Sequence, residues 1–354
     1  MKSPRIYAIT ALAAAVAISL AGCAKPLDEG NSASTNGEGS EQIVESTSAE
    51  TCTNPTPTDT PISEMKVGFS QSENEQNPFR AVETASVKES VEAVAQEFVY
   101  TNANSDQAKQ LSDIQSMINQ GVDALIVAPI GATGLQSAFE DARAQGIPVI
   151  TIDRETAGTP CTDFISFMGS DFLEQGVRAG EALVSALDGA DGVVAEIQGA
   201  PGSDVASLRT EGFAEALSGA ENIEVVARQT GNWATSEAQE VVAQLLSANP
   251  DINAIYTHSD TMALGALTAI SQAGLTAGED VKVVSIDGAR DAVTFVASGE
   301  IAAVVETNPR FGPAAVQLLE KWFAGEPVAQ KIIMKDELYT IDNAQDALDS
   351  GRAY

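Results

Sequence analysis

The run Val149–Ile152 constrains the fold most strongly, because its four apolar or β-branched residues leave no polar face. Such a run is typical of a strand in a parallel sheet that helices cover on both sides. It ends abruptly at Asp153 and Arg154. Ligands of open α/β sheets bind beyond the carboxyl ends of the strands, so this pair indicates a binding site. A salt bridge that only closes the loop is the alternative interpretation.

Strands and helices alternate along the chain from residue 66 onwards, and this pattern predicts parallel sheets with helices on both faces. Predicted strands lie at residues 66–69, 98–100, 124–128, 149–152, 193–197, 223–228, 254–257, 282–286, 302–305 and 331–334. Predicted helices lie at residues 80–95, 106–120, 133–145, 173–187, 206–217, 236–247, 261–272, 289–297 and 313–324. Around ten strands approach the limit for one twisted open sheet, so we expect two similar Rossmann-like α/β lobes. The cleft between the lobes is the expected ligand site.

The N-terminus carries the signals of an exported protein. Lys2 and Arg5 precede an apolar stretch at residues 6–20, which is short for a transmembrane span. The sequence Leu20-Ala21-Gly22-Cys23 then resembles the lipobox of bacterial lipoproteins, whose cysteine is lipidated. We therefore expect a signal peptide at residues 1–22 and a lipid on Cys23 that anchors the chain to the extracytoplasmic face of the cell membrane. The alternative is an ordinary signal peptide followed by a chance cysteine.

Residues 24–63 consist mainly of Ser, Thr, Asn, Gly, Glu and Pro. A segment with so few large apolar residues cannot bury enough surface to fold by itself. The sequence therefore predicts a disordered tether that, together with the lipidated cysteine, covers residues 23–64.

The composition argues against binding of nucleic acid or metal and favours one disulfide bond. The formal net charge of −31 at pH 7 opposes nucleic-acid binding, which depends on Lys and Arg neutralising phosphates. One histidine and three dispersed cysteines argue against a metal site, and no cofactor is expected. Apart from the lipobox cysteine, Cys52 and Cys161 remain. Two thiols in an oxidising compartment usually pair, so we expect a disulfide between them.

Polar and aromatic side chains recur where the predicted strands end. They are Ser70, Gln71, Asn77, Phe79, Arg80, Asp153, Arg154, Gln198, Asn232, Trp233, His258, Ser259, Asp287 and Glu306. Planar hydrogen-bonding groups together with aromatic faces suit a polyhydroxylated ring. The strand ends therefore favour a carbohydrate-like ligand.

Several motifs, in the same order along the chain, resemble the ribose- and galactose-binding family of type I periplasmic binding proteins. They are Val67-Gly68-Phe69-Ser70, Asn77-Pro78-Phe79, Ile147-Pro148-Val149-Ile150-Thr151-Ile152-Asp153-Arg154, Arg209-Thr210-Glu211-Gly212-Phe213, Asp260-Thr261-Met262-Ala263-Leu264-Gly265-Ala266 and Ile286-Asp287-Gly288. The stretches Gly68-Phe69-Ser70-Gln71, Arg80-Ala81-Val82-Glu83-Thr84 and Glu306-Thr307-Asn308-Pro309 are similar, more specifically, to galactofuranose-binding members. The resemblance implies a monomeric, two-lobed protein that binds a monosaccharide and delivers it to the permease of an ABC transporter.

The resemblance also implies roles for individual residues. Phe79 and Trp233 would pack on the two faces of the sugar ring. Its hydroxyl groups would be bound by Arg80, Asp153, Arg154, Arg209, Asp287 and Glu306, with Ser70, Gln71 and Ser259 as further contacts. Ser259 and Phe172 stand where ribose binders carry asparagine, and the loop at residues 70–79 is longer than theirs. These departures argue against ribose itself. The match at Arg80, the aromatic face of Trp233 and Glu306 in place of a neutral amide indicate a galactose-, galactofuranose- or arabinose-like sugar.

Members of this family hinge between their lobes, and three crossings are expected near residues 168–171, 305–308 and 335–337. The N-terminal lobe would then comprise residues 65–169 with 307–335. The C-terminal lobe would comprise residues 170–306 with 336–354.

Other classes of protein are less well supported by the sequence. A glycosidase would need paired carboxylates, but Asp153, Asp287 and Glu306 come with hydrogen-bond donors and not in apolar pockets, so we expect no enzyme. A transcriptional regulator would carry a DNA-reading motif where this chain has a lipobox. A sensor that presents a sugar or furanosyl signal to a membrane receptor remains the alternative to transport.

Overall fold

The computed structural model describes residues 44–354, so the predicted signal peptide, Cys23 and the first part of the predicted tether lie outside the described residues. Strands β1 to β15 are, in chain order, Val44–Thr47, Thr51–Cys52, Lys66–Gln71, Glu97–Asn102, Ala124–Val127, Val149–Ile152, Ser166–Gly169, Gly192–Gln198, Ile223–Thr230, Ala254–Thr257, Lys282–Asp287, Ala303–Glu306, Val328–Ala329, Lys331–Met334 and Leu338–Thr340. Helices α1 to α10 are Pro78–Glu92, Gln107–Asn119, Gln136–Ala144, Phe172–Leu187, Asp204–Leu217, Thr235–Ala248, Asp260–Gln272, Arg290–Ser298, Gly312–Phe323 and Ala344–Ser350.

Two α/β sheets organise this part of the chain. The first has the strand order β1-β14-β7-β6-β5-β3-β4, and the second has the order β15-β12-β11-β10-β8-β9. Neighbouring strands are parallel except at one edge of each sheet, where β1 and β15 run antiparallel to their neighbours. Strands β2 and β13 form a separate antiparallel pair. The predicted fold class, two α/β lobes with parallel sheets, is confirmed.

Strand β6 is an interior strand between β5 and β7, and all four of its residues are buried. This agrees with its unbroken apolar sequence, because helices cover both faces of a parallel sheet. The first helix begins at Pro78, one residue after Asn77, whose side chain accepts a hydrogen bond from the amide of Phe79. Asparagine before proline is a favourable helix start. This local cap fixes where Phe79 and Arg80 enter the helix.

The chain passes between the two sheets three times within residues 44–354. The connections run from β7 to helix α4, from β12 to helix α9 and from β14 to β15. The sequence prediction omitted β7, β15 and the last helix, which are short elements of three to seven residues. Short elements give little periodicity, so tertiary pairing decides them.

Residues 44–64 correct the prediction of a tether that extends to residue 64. Val44–Thr47 adds an antiparallel strand to the edge of the first sheet, and Thr51–Cys52 pairs with Val328–Ala329. Backbone hydrogen bonds and one covalent link hold this polar segment in place. A count of apolar residues cannot predict either kind of bond. We call residues 44–64 the N-terminal strap.

The covalent link is a disulfide between Cys52 and Cys161, as the sequence predicts. The two cysteines are 109 residues apart in the chain. The bond joins the strap to the loop that follows Asp153 and Arg154.

Among the described residues, no helix combines the length and apolar character that a bilayer-crossing segment requires.

The disulfide should contribute substantially to stability. Closing a loop of this length removes conformational entropy from the unfolded chain, so replacing both cysteines by serine should lower the free energy of unfolding by about 4–5 kcal/mol. Urea unfolding of both proteins, with and without reductant, measures the difference. Reductant should have no effect on the Cys52→Ser/Cys161→Ser variant. Two reactive thiols from these positions in the denatured, unreduced protein would contradict the link.

Candidate functional site

A polar cleft lies where the carboxyl ends of strands from both sheets meet. Its lining comprises Glu73, Asn77, Phe79, Arg80, Asp153 and Arg154 from the first sheet and its connections, and Val205, Arg209, Trp233, Ser259, Asp287 and Thr307 from the second. Eight of the eleven predicted ligand contacts are in this set: Phe79, Arg80, Asp153, Arg154, Arg209, Trp233, Ser259 and Asp287. Most of the predicted contacts therefore lie together in one cleft.

Three predicted contacts, Ser70, Gln71 and Glu306, are not part of this lining. Gln71 is fully buried and donates to the side chains of Glu83 and Thr84 at 2.9 and 3.0 Å. The hydroxyl of Ser70, also buried, lies 3.4 Å from the amide of Gln110. Both side chains therefore support the elements behind the cleft.

Glu306 is held at a connection between the sheets. One carboxylate oxygen accepts from the backbone amide of Glu337 at 3.0 Å, and the other pairs with Arg310 at 3.2 Å. Burial raises the pKa of Glu306, against the hydrogen bond from Glu337 and the charge of Arg310. Phe172, also outside the lining, is buried with its ring 5.6 Å from the guanidinium carbon of Arg209.

Arg80 organises the first half of the cleft. Its buried guanidinium pairs with Glu73 at 3.0 Å, with Glu83 at 2.8 Å and with Asp153 at 2.7 Å. Burial alone would lower the pKa of Arg80, but the three carboxylates raise it well above its ordinary value. Arg154 joins the cluster through Glu73 at 2.9 Å and through Asp153 at 3.6 Å. The two cations are thus held in place by shared anions.

The two glutamates on Arg80 ionise very differently. Burial opposes the ionisation of Glu73, but the charges of Arg80 and Arg154 outweigh it and lower the pKa of Glu73 to about 2. Burial raises the pKa of Glu83 to about 7, although Arg80 acts in the opposite direction. One oxygen of Glu83 finds no hydrogen-bond partner among residues 44–354. Glu73 is therefore a permanent anion in the cleft, whereas Glu83 lies beneath it and titrates near neutrality.

Arg209 organises the second half of the cleft mainly with neutral acceptors. It donates to the side-chain oxygen of Gln175 at 2.8 and 3.0 Å, to the carbonyl of His258 at 2.5 Å and to the hydroxyl of Thr307 at 2.8 Å. Its nearest carboxylate in the lining, Asp287, is 3.9 Å away. The ring of Trp233 lies 5.9 Å from the guanidinium carbon.

Asp287 is positioned by a second carboxylate that the sequence analysis did not assign to the site. Asp260 accepts from the backbone amides of Gly288 and Ala289, both at 2.7 Å, and so holds the turn that follows Asp287. Burial raises the pKa of Asp287 to about 6, against the charge of Arg209. Burial and the neighbouring Asp287 raise the pKa of Asp260 well above its ordinary value.

Three residues of the lining adopt backbone angles that are rare outside glycine. The φ angles are 67° at Asp153, 61° at Trp233 and 140° at Asp287. Strained backbone of this kind is concentrated at ligand-binding sites, where the surrounding structure maintains it. All three lie at or just after the end of a strand or in the loop that follows it.

The lining also contains four residues that were not predicted as contacts: Glu73, Asn77, Val205 and Thr307. Asn77 is among the strand-end residues named from the sequence but was not assigned as a contact, and Thr307, directly after Glu306, follows a strand end in the same way. Glu73 lies in the middle of a polar loop, and its pairing with Arg80 and Arg154 depends on the folded loop. Val205 has no polar group, and the sequence carries no signal for it.

The two-sheet fold and the polar, aromatic cleft define a sugar-binding periplasmic protein of the ABC-transporter type. The model of the periplasmic binding protein domain matches residues 67–327, and the chain belongs to that family. The family is therefore the one that the sequence motifs indicate, that of the sugar-binding periplasmic proteins. As such a protein, the chain works outside the cytoplasm.

The chain is similar to several known proteins. It is 33% identical over 289 residues to the galactofuranose-binding protein YtfQ of Escherichia coli, covering 80% of this chain and 91% of that protein. A Mycobacterium smegmatis structure in complex with β-D-fucofuranose has 34% identity and a TM-score of 0.76, covering 81% of this chain and 95% of that one. The binding protein of the arabinose ABC transporter from Shewanella sp. ANA-3, bound to α- and β-L-arabinofuranose, has 31% identity and a TM-score of 0.76, with the same coverage.

The pKa of Glu83 predicts a pH-dependent stability. Because this pKa is raised from 4.5 to about 7 in the folded protein, the folded state holds a proton that the unfolded state loses, and the resulting stability disappears as the pH rises through that interval. Between pH 5 and 8 the unaltered protein should lose about 2–3 kcal/mol more unfolding free energy than Glu83→Gln. Urea unfolding at both pH values measures this loss.

The matched control for this experiment is Glu89→Gln, an exposed position on the same helix. It should keep the pH dependence of the unaltered protein. Equal pH dependence in Glu83→Gln and in the control would show that Glu83 is ionised in the folded protein throughout this range.

Proposed function

We propose that this chain is an extracytoplasmic lipoprotein that captures a monosaccharide of the galactose, galactofuranose or arabinose kind and delivers it to the permease of an ABC importer. The observation that carries the proposal is the cleft lining, in which three guanidinium groups and three carboxylates are accompanied by two aromatic rings. The protein works as a monomer and performs no reaction on the sugar.

The charge balance of the cleft favours a neutral ligand. The cations Arg80, Arg154 and Arg209 are matched in number by the anions Glu73, Asp153 and Asp287. An acidic sugar would meet carboxylates on both sides of the cleft, whereas a hydroxyl group donates to a carboxylate and accepts from a guanidinium. Alternating donors and acceptors therefore suit a ring with several neighbouring hydroxyl groups.

Individual residues take the following roles in this proposal. Phe79 and Trp233 pack against the sugar, because aromatic rings cover the apolar faces of carbohydrates. Its hydroxyl groups are bound by Arg80, Asp153, Arg154, Arg209, Asp287 and Ser259, with Glu73 and Thr307 added from the cleft lining. Ser70, Gln71 and Glu306 act from behind these residues.

Two relatives support a five-membered ring as the bound form. The Mycobacterium smegmatis and Shewanella structures hold fucofuranose and arabinofuranose, and this chain is at least 31% identical to each. We infer that the longer loop at residues 70–79, which contributes Glu73, selects among such furanoses. A carboxylate there offers acceptors to the exocyclic hydroxyl groups of the sugar.

We further propose that the two lobes move about the three connections between the sheets. Residues 65–169 with 307–335, joined by the N-terminal strap, would form one lobe, and residues 170–306 with 336–354 the other. Each sheet together with its helices has two buried apolar clusters of its own, which supports this division. Closure around the sugar would remove it from water and present a combined surface to the permease.

A calorimetric screen of galactose, arabinose, fucose, ribose and their furanoside derivatives tests the sugar-binding proposal. One of the galactose- or arabinose-like sugars should bind strongly, and Asp153→Ala should weaken that binding tenfold or more. Losing a charged partner of a buried hydroxyl group costs about 1.5–3 kcal/mol. The control Asp141→Ala removes an exposed carboxylate on helix α3 and should bind as the unaltered protein does.

Trp233→Ala should weaken binding of the same sugar, because the indole ring no longer packs against the sugar ring. If the folded protein binds none of these monosaccharides, a monosaccharide is the wrong class of ligand. Equal affinities of Asp153→Ala and Asp141→Ala would instead place the sugar outside this cleft.

The lipid anchor can be tested separately. Cys23→Ser removes the thiol that a lipid would modify, so the protein should move from the membrane fraction to the soluble extracytoplasmic fraction. Metabolic labelling with a palmitate analogue, followed by fractionation, measures both the lipid and the location. Membrane association and labelling that persist in Cys23→Ser would exclude this cysteine as the anchor.

A further inference from the structure

Gln175 is a buried amide that touches both the cleft and the connections between the sheets. Its oxygen accepts two hydrogen bonds from Arg209, at 2.8 and 3.0 Å. Its nitrogen donates to a carboxylate oxygen of Asp336 at 2.8 Å and lies 3.1 Å from the hydroxyl of Thr307 and the carbonyl of Glu306. Only 1% of Gln175 is exposed, so water does not replace these partners.

Asp336 connects the three passages of the chain between the sheets. It lies on the connection from β14 to β15, and its other carboxylate oxygen accepts from the hydroxyl of Ser170 at 3.0 Å and from the amide of Asn308 at 2.9 Å. Ser170 belongs to the first passage and Asn308 to the second. The carboxylate of Asp336 on the third passage is therefore bonded to the other two passages, and Gln175 is its remaining side-chain donor among residues 44–354.

The helices that carry Gln175 and Arg209 pack unusually closely. A Cβ at Gly176 would lie 2.4 Å from the carbonyl oxygen of Arg209, and a Cβ at Gly212 would lie 2.0 Å from that of Leu173. Only glycine permits this approach of helices α4 and α5. The short distance between the helices keeps Gln175, next to Gly176, within hydrogen-bonding distance of Arg209.

We propose that Gln175 is a positioning residue that couples the orientation of Arg209 in the sugar cleft to the hinge segments at Asp336. This inference rests on the proposed sugar-binding function of the same cleft. An amide is required, because Arg209 needs an acceptor and Asp336 needs a donor at the same side chain. When the hinge segments shift, the amide transmits their displacement to Arg209, and a sugar bound to Arg209 favours one arrangement of the hinge.

A swap of hydrogen-bonding groups tests this coupling. At about pH 8.5, above the pKa of Asp336, which burial raises to about 7, Gln175→Glu keeps the acceptor for Arg209 but places two carboxylates against each other. It should weaken binding of L-arabinose or D-galactose about tenfold or more. Asp336→Asn alone removes the acceptor for the amide nitrogen and should also weaken binding. In the double variant, the amide introduced at position 336 can donate to the new carboxylate and still accept from Ser170 and Asn308, so affinity should recover most of the loss of either single variant. The remaining loss comes from the carbonyl of Glu306, which the new carboxylate still faces.

The same cycle is measured by thermal unfolding without sugar, where each single variant should lower the melting temperature by about 2–4 °C or more and the double variant should recover it. The control Gln272→Glu makes the same change at an exposed helix position and should change neither quantity. If Gln175→Glu does not fold, the double variant alone decides, because it must fold and bind.

The outcomes separate the two proposals. If the unaltered protein binds none of the galactose- or arabinose-like sugars and none of their furanosides, the proposed function fails, while recovery of the melting temperature still shows the bond between positions 175 and 336. If the unaltered protein binds sugar and the double variant remains as weak as the single variants, the coupling through Gln175 is overturned. Unchanged affinity in Gln175→Glu overturns it equally.

Discussion

The cost of burying positive charge shapes both halves of the cleft. A guanidinium removed from water must find partners for its five donors, or the folded state loses several kcal/mol. Arg80 meets this requirement with three carboxylates. Arg209 meets it mainly with an amide, a carbonyl and a hydroxyl oxygen. The positions of Glu73, Glu83, Gln175 and Thr307 follow from these two requirements.

The different partners of Arg80 and Arg209 give the cleft an uneven distribution of charge. Around Arg80, anions lie within 3.0 Å of the guanidinium, so its charge is largely compensated. Around Arg209, the only carboxylate in the cleft lining within 4 Å is at 3.9 Å, and more of its charge remains uncompensated toward the cleft. The Arg80 half thus offers more acceptors, and the Arg209 half presents a stronger donor. A ligand with distinguishable donor and acceptor sides would be held in one orientation.

Much of this arrangement was predictable from the sequence. The apolar run Val149–Ile152 placed Asp153 and Arg154 at a strand end, and the same rule located Arg80, Asp287 and Trp233. The rule also predicted Glu306 as a contact, because it cannot distinguish a side chain that faces the cleft from one that bonds the adjacent connection. Glu73 was missed for the opposite reason, since a loop conformation and not a strand end brings it to Arg80. The N-terminal strap was missed because composition measures apolar content and not backbone pairing.

The disulfide of the strap also determines how the protein responds to cleavage. Cys52 and Cys161 enclose the whole stretch that supplies the first half of the cleft, including the exposed part of the loop between Gln71 and Phe79. A protease that cuts the backbone once anywhere between these cysteines leaves two fragments that the sulfur bridge still joins. Outside the cytoplasm, a cut protein is not replaced by synthesis on the spot. A molecule cut once between the cysteines therefore stays covalently connected and keeps its N-terminal segment.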